Sequence, residues 1–190
     1  MKKMMLGAII LSAFTLNGSA QDMKMKTKGT TIMVGGAPMY PSKNIVENAV
    51  NSKDHTTLVA AVTAAGLVET LQSKGPFTVF APTNAAFEKL PAGTVDNLLK
   101  EENKPVLTAV LTYHVVTGKF NATELLKQIK KGNGKAELTT VQGGKIWLME
   151  KDGSIWIKDE KGGKAMVTIA DVNQSNGVIH VVDAVLLPKS

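Results

Sequence analysis

From Ser42 to Lys131 the hydrophobic positions mostly have the spacing of helices, and beyond Gly132 they have the spacing of strands. In the first part, apolar residues recur three and four positions apart, which is typical of amphipathic helices. Ser42, Asp54 and Asn103 are candidate helix caps. A further short helix is predicted to start at Thr83 or Asn84 and to carry Phe87 and Leu90. The other predicted helical stretches are Ile45–Val50, Leu58–Ala65, Leu67–Leu71, Val95–Lys100, Pro105–Tyr113 and Thr123–Lys131.

Beyond Gly132, apolar and polar residues alternate, as they do in half-buried strands. Glycine-containing turn signals, of which Asp152-Gly153 is the sharpest, separate the runs. Helices first and strands later predict an α+β domain. The predicted strands are Ala136–Val141, Lys145–Lys151, Ser154–Asp159, Ala165–Val172 and Val178–Leu187.

The segment TVFAPTNAAF, Thr78 to Phe87, combines both patterns. A buried strand over residues 77–80 must end at Pro82, because proline cannot donate to a sheet ladder. Thr83 or Asn84 can then cap a short helix that directs Phe87 inward. The bend has no serine, so we interpret it as a structural joint and not as a nucleophile elbow.

The start of the chain has the features of a secretory signal over residues 1–20: two lysines, an apolar run, and the small residues Gly18-Ser19-Ala20. Residues 21–40 are polar and then rich in glycine and proline, which predicts a flexible lead-in. Residues 41–188 should form one domain. The apolar run is too short to span a membrane, so we expect a secreted, periplasmic or cell-surface protein after cleavage near Ala20.

Composition narrows the function classes further. The 190 residues include no cysteine, which excludes disulfides and thiol chemistry. They include 22 basic residues, all of them lysine. The lack of arginine, the usual reader of phosphates and guanine, argues against a nucleic-acid partner.

The three histidines, His55, His114 and His180, lie in different predicted elements. No metal-ligand spacing, phosphate loop or catalytic motif accompanies them. We therefore predict a non-enzymatic protein without a metal or cofactor. His180 stands in an apolar strand, so we expect a core histidine with both ring nitrogens satisfied.

The hairpin around Asp152-Gly153 is the strongest candidate binding surface. A type I′ turn would place Met149 opposite Trp156 and Trp147 opposite Lys158. Trp147 and Trp156 would then share one face with Lys145 and Lys158, while the aliphatic residues of the hairpin face the core. Between residues 127 and 164, nine lysines stand against five acidic residues. This face could contact a sugar, a polymer or a partner protein; alternatively, other elements cover the tryptophans.

Three motifs together resemble the fasciclin, or FAS1, domain family: Thr78–Phe87, the pair Tyr113-His114 within LTYHVV, and Gly177–Pro188. The resemblance spans residues 41–188. It implies a β-wedge of mostly antiparallel strands flanked by several short helices, and a role in cell-surface or extracellular-matrix adhesion. The residues that it implies to be structural are Thr78, Phe80, Pro82, Thr83, Asn84, Phe87, His180 and Asp183.

The resemblance leaves two points open. In animal members the tyrosine–histidine region is linked to integrin binding, so Tyr113 and His114 are either contact residues or core residues here. Some proteins that resemble the family carry carotenoid-like pigments, and the alternative function is therefore a carrier of an apolar small molecule, carotenoid- or lipid-like, in an apolar cleft. A structural envelope protein with weak, multivalent binding is a third hypothesis. For the adhesion role, the expected partner is a cell-surface or matrix protein or a polysaccharide. One domain per chain favours a monomer.

Overall fold

A computed structural model of the chain describes residues 30–189. The predicted signal segment, residues 1–20, lies outside this range, as does most of the predicted lead-in. Within residues 30–189, no helix has the length and apolarity that crossing a membrane requires.

The lead-in prediction is wrong for residues 32–39. Ile32–Val34 (β1) and Ala37–Met39 (β2) pair as an antiparallel hairpin across the turn Gly35-Gly36. The hairpin is held because Val34 and Met39 are buried in a hydrophobic core. Strands of three residues are too short to show a period in the sequence, and only tertiary packing stabilises them.

Seven short α-helices and two single 3-10 turns, Lys53–His55 and Glu101–Asn103, account for most of the first part of the domain. The first helix is capped by Asn44 and not by Ser42, because Asn44 and Glu47 form a reciprocal capping box. Asp54 lies inside a 3-10 turn, and the second helix begins after it. The helices are Ile45–Ala49 (α1), Thr56–Ala65 (α2), Val68–Gln72 (α3), Asn84–Glu88 (α4), Thr94–Leu98 (α5), Lys104–Tyr113 (α6) and Ala122–Lys131 (α7).

The other strands form one sheet of seven, a nearly barrel-like wedge. They are Phe77–Pro82 (β3), Val115–Thr117 (β4), Lys135–Thr139 (β5), Lys145–Lys151 (β6), Ser154–Lys158 (β7), Lys164–Gln174 (β8) and Gly177–Val182 (β9). Their order is β4-β3-β9-β8-β7-β6-β5, and every neighbouring pair is antiparallel except β3 and β9. The sequence did not predict β4, and β9 ends at Val182, whereas the prediction ran to Leu187.

The parallel pair β3 and β9 is the wall between two hydrophobic cores. Alternate residues of a strand point to opposite faces, so Val79 and Ile179 enter the first core while Phe80 and Val182 enter the second. The first core also receives α1–α3 and α6, and the second receives α7 and the aliphatic face of β5–β7. Burial on both faces explains why both strands read as continuous apolar runs.

Polar side chains fasten this wall to its surroundings. Thr78 Oγ1 donates to the Gly118 carbonyl at 2.7 Å and accepts from the Phe120 N–H at 2.9 Å. Asp183 Oδ1 accepts from the Met166 N–H at 2.7 Å, just beyond the end of β9. These bonds satisfy backbone groups that the sheet ladders leave free.

The joint after β3 has the conformation expected of a structural element. Pro82 is buried at the end of the strand, Thr83 Oγ1 accepts from the Ala86 N–H to cap α4, and Phe87 is buried. The Asn84 side chain reaches α2 instead: Oδ1 accepts from the Thr57 N–H at 3.0 Å, and Nδ2 donates to the Lys53 carbonyl and to Thr56 Oγ1 at 2.9 Å each. One side chain therefore connects α4 to the start of α2.

Candidate functional site

The hairpin of β6 and β7 has the predicted register. Met149 pairs with Trp156 and Trp147 pairs with Lys158, across a turn in which Asp152 and Gly153 both have positive φ. The aliphatic residues of the two strands face the second core, where α7 packs against β5 and β6. The face assignment made from the sequence is confirmed, and both tryptophans lie on the side away from the second core. The buried set is Ile146, Leu148, Ile155 and Ile157.

The opposite side of β5–β8 is called the outer face below. Strand register places its residues in two rows across the sheet, Lys135–Met149–Trp156–Met166 and Glu137–Trp147–Lys158–Lys164, with Lys145 beside the second row. Both tryptophans are partly exposed, and neither belongs to either core. Lys151, at the end of β6 opposite Ser154, lies on the same side. The outer face therefore combines accessible aromatic and thioether surface with five lysines and one glutamate.

Trp147 is fixed in place by its neighbours on β5 and β6. Its Nε1–H donates to Glu137 Oε2 at 2.9 Å, and the Lys135 ammonium lies 5.0 Å from the ring centroid. Lys145 Nζ lies 2.7 Å from the other oxygen of Glu137. The hydrogen bonds from Lys145 and then Trp147 lower the pKa of Glu137, so this carboxylate stays charged. The arrangement orders one tryptophan before any partner binds. The sequence singled out neither Lys135 nor Glu137, because their contact with Trp147 depends on the pairing of β5 with β6.

Tyr113 and His114 are both buried, so a macromolecule cannot contact them directly. The Tyr113 hydroxyl donates to the Lys145 carbonyl at 2.6 Å and accepts from the Glu160 N–H at 3.1 Å, and burial raises the pKa of Tyr113 to about 12. Tyr113 thus ties the start of β6 to the chain that follows β7, beneath the outer face. The geometry matches the structural alternative for Tyr113.

His114 and His180 are held as neutral imidazoles by backbone groups. Nε2 of His114 accepts from the Leu186 N–H at 2.9 Å, so Nδ1 carries the proton and donates to the Val110 carbonyl at 2.8 Å. Nδ1 of His180 accepts from the Asp171 N–H at 3.3 Å, and Nε2 donates to the Phe120 carbonyl at 2.8 Å. Burial lowers the pKa of both residues, that of His114 to about 4. His180 is the satisfied core histidine that the sequence predicted.

A second candidate site is an apolar cavity of about 190 Å³ in the first core. It lies among α1, α2, α3, α6 and the wall strands β3 and β9, and aliphatic side chains form most of its lining. Lining residues range from Phe80 and Val172, which are buried, to Val50 and Val141, which are about half exposed. The cavity therefore runs from the core to the surface.

The only ring nitrogens at this cavity belong, among the described residues, to His55 and His114. His55 is 3% exposed, and its Nδ1 lies 2.9 Å from Ser52 Oγ. Its Nε2 is buried and has no hydrogen-bond partner within residues 30–189. Sequence reasoning missed His55, because Asp54-His55 reads as the start of a helix and only the fold brings it to β3. No three His, Asp or Glu side chains of residues 30–189 form a metal-binding group.

A small α+β wedge with a basic aromatic sheet face and an apolar cavity has the features of a binding domain. A family model described as the fasciclin domain matches residues 53–188. The chain belongs to the fasciclin domain family.

Its relatives are bacterial and animal proteins. It is 47% identical over 165 residues to Protein sll1483 of a Synechocystis species, covering 87% of this chain and 84% of that protein. It is 39% identical over 145 residues to the immunogenic protein MPB70 of Mycobacterium bovis, covering 74% of this chain and 66% of that protein.

A solved structure of a FAS1 domain pair from the insect cell adhesion molecule Fasciclin I has the same fold. It superimposes with a TM-score of 0.68 at 20% identity and covers 78% of this chain and 52% of that chain. The predicted α+β wedge is confirmed.

Proposed function

We propose that this protein is a secreted or surface-exposed, non-catalytic adhesion module that binds an acidic cell-surface or matrix polymer through its outer face. Fasciclin domain membership and the likeness to a cell adhesion molecule support the adhesion role. The observation that carries the proposal is the pair of partly exposed tryptophans among lysines on β5–β8.

The chemistry of the outer face favours an anionic polymer. Five lysines outnumber the single Glu137, which is itself engaged by Trp147 and Lys145. They are Lys135, Lys145, Lys151, Lys158 and Lys164. Aromatic rings beside these lysines add contact area for the apolar faces of sugar rings. Exposed ammonium groups attract anions at long range, and salt screens that attraction.

The test compares Trp147→Ala and Trp156→Ala with the wild-type protein on arrays of charged and neutral glycans and on cell surfaces. Each variant should bind an acidic glycan at least about tenfold more weakly, since an aromatic anchor typically contributes more than 1 kcal/mol. Binding should also weaken as salt is raised.

Tyr40→Ala is the matched control. Tyr40 is 42% exposed and has the Lys43 ammonium 5.2 Å from its ring centroid, but it lies outside the outer face. This variant should bind as the wild type does. Wild-type binding by both tryptophan variants would remove the outer face from consideration.

The cavity supports a second candidate function, a carrier of an apolar small molecule. Its lining is mostly aliphatic, and the half-exposed Val50 and Val141 lie at its rim. Protein purified from its native source should then contain an extractable apolar compound. Colourless protein without extractable lipid would contradict the carrier function.

A further inference from the structure

Among residues 30–189, the first-core cavity has one buried side-chain nitrogen or oxygen without a protein partner, Nε2 of His55. His55 and His114 both line it, and they differ in how their ring nitrogens are used. Both nitrogens of His114 are bonded to backbone groups, whereas His55 uses only Nδ1, toward Ser52. Ser52 does not line the cavity whereas His55 does, so we take Nε2, on the ring edge away from Ser52, as the nitrogen that an occupant would reach.

An unpaired buried nitrogen has an energetic cost that an occupant can remove. Leaving a buried polar group unsatisfied typically costs about 1–3 kcal/mol. The Ala81 carbonyl favours the protonated form of His55, but no hydrogen bond of ordinary geometry reaches Nε2. A molecule in the cavity that offers an oxygen to Nε2 therefore gains affinity that a pure hydrocarbon does not.

From this geometry, and resting on the carrier function, we propose that the cavity binds one apolar ring or short chain that carries a single neutral hydroxyl or carbonyl oxygen, hydrogen-bonded to Nε2 of His55. The occupant is either a free small molecule or the end group of a longer lipid.

The charge of the occupant follows from the lining. Among the described residues, no lysine, aspartate or glutamate lines the cavity. Burial lowers the pKa of His55, so its imidazole is neutral near pH 7. A charged ligand would lose its hydration without gaining a counter-ion. A hydroxyl suits either tautomer of His55, because it can both donate and accept.

The size of the occupant follows from the volume. A closed apolar cavity of about 150 Å³ is large enough for benzene, so about 190 Å³ accommodates one six-membered ring with a substituent. A longer lipid would place one end group inside and extend past Val50 and Val141 at the rim.

The first experiment uses the wild-type protein and two probes of similar shape, cyclohexanol and methylcyclohexane. The ring nitrogens of the three histidines are followed by long-range ¹H–¹⁵N NMR. Cyclohexanol should shift the Nε2 signal of His55 and leave both nitrogens of His180 unchanged, and methylcyclohexane should leave the His55 Nε2 signal near its free position. If cyclohexanol binds but only a buried water molecule is bonded to Nε2, the Nε2 signal will not move. That result would overturn the proposal.

The second experiment measures dissociation constants for both probes in wild type and in His55→Leu. The preference for cyclohexanol over methylcyclohexane should fall about tenfold in the variant, the equivalent of one buried hydrogen bond. Thr63→Val, which removes a lining hydroxyl already bonded to the Val59 carbonyl and leaves His55 and its Ser52 contact in place, is the control and should retain the preference within about twofold. An unchanged preference in a folded His55→Leu protein would refute the role of His55, and the NMR result decides if that variant does not fold.

The outcomes also separate this proposal from the carrier function. If neither probe binds the wild-type protein, the cavity is not a ligand site and both ideas fail. If both probes bind equally well in wild type and in His55→Leu, the cavity remains a carrier site and only the oxygen anchor is wrong. Dodecanol is the third probe: tighter binding than cyclohexanol indicates a lipid end group, and weaker binding indicates a free small molecule.

Discussion

Acidification from pH 7.5 to pH 5 should lower the free energy of unfolding, because the folded protein keeps its buried histidines neutral. His114 shows the reason most clearly. Its Nε2 accepts from the Leu186 N–H, so protonating this nitrogen would set two N–H groups against each other and break the bond. Asp159 is the nearby charge that favours the protonated form, but burial outweighs it.

The magnitude follows from the pKa of His114, which is about 4 in the folded chain against an ordinary value of 6.5. Above pH 6.5 both states are neutral and the group contributes nothing to the pH dependence. As the pH falls below 6.5, the unfolded chain takes up a proton that the folded chain refuses until about pH 4. At pH 5 the difference amounts to about 1.5 pH units at about 1.4 kcal/mol each, a loss of about 2 kcal/mol. Burial lowers the pKa of His55 and His180 as well, and the sign of their contribution is the same.

Urea unfolding at several pH values between 7.5 and 5 measures this loss. The window stays above the ordinary range of aspartate and glutamate, so carboxylates contribute little. His114→Gln, whose side-chain oxygen can accept the Leu186 N–H without titrating, should reduce the pH dependence by about 2 kcal/mol.

Asn84→Ala is the matched control for a general loss of stability, since it destabilises the domain without removing an imidazole. It should retain the full pH dependence. A wild-type protein as stable at pH 5 as at pH 7.5, or an unchanged pH dependence in His114→Gln, would refute the reasoning.

Two further changes test the joints of the fold. Asn84→Ala should cost about 1–2 kcal/mol in urea unfolding, because it removes three partly solvated hydrogen bonds; Asn51→Ala, which removes one exposed bond, should cost less than about 0.5 kcal/mol, and equal losses would contradict this role. Gly177→Ala should cost about 2–3 kcal/mol, because a Cβ at this position would lie 2.2 Å from the Phe77 carbonyl oxygen. Gly153→Ala has open space around the new Cβ and should cost only about 1 kcal/mol for its left-handed backbone; a loss no smaller than that of Gly177→Ala would show that the close approach to β3 is unimportant.

The hairpin of β6 and β7 could be predicted from the sequence because local rules determine it. The Asp152-Gly153 turn sets the register, and a period of two then assigns every residue to a face. The joint after β3 was predictable for a similar reason, since Pro82 must end the strand wherever the chain lies in space.

The elements that the sequence did not predict depend on distant partners. β4 directly follows α6 without a breaker, and Val115–Thr117 becomes a strand only because β3 offers a free edge. The β1–β2 hairpin depends on burial of Val34 and Met39 in the first core. Segments of three residues have too few positions for a period to identify them.

The candidate sites could also be predicted only as far as they depend on local sequence and not on residues that are distant along the chain. Trp147 and Trp156 follow from the local register, whereas the bonds that Glu137 and Lys135 make to Trp147 require the pairing of β5 with β6. The cavity is harder still to predict from the sequence, because its lining comes from four helices and six strands that are far apart along the chain. His55 becomes a candidate ligand-binding residue only because its Nε2 is buried beside the cavity without a partner among residues 30–189.

The three motifs that identify the family act chiefly on the wall between the two cores. Thr78, His114 and His180 each use a side chain to hold backbone beside β3 or β9, and none of them belongs to the outer face. Two motif residues do reach the strands of the outer face: Tyr113 holds the Lys145 carbonyl at the start of β6, and Asp183 holds the Met166 N–H of β8. Substitutions of outer-face side chains should therefore leave the wall intact, since both links are to backbone groups. Family membership predicts the fold because the shared motifs stabilise the wall formed by β3 and β9. The binding properties of this chain should be sought on the outer face and in the cavity.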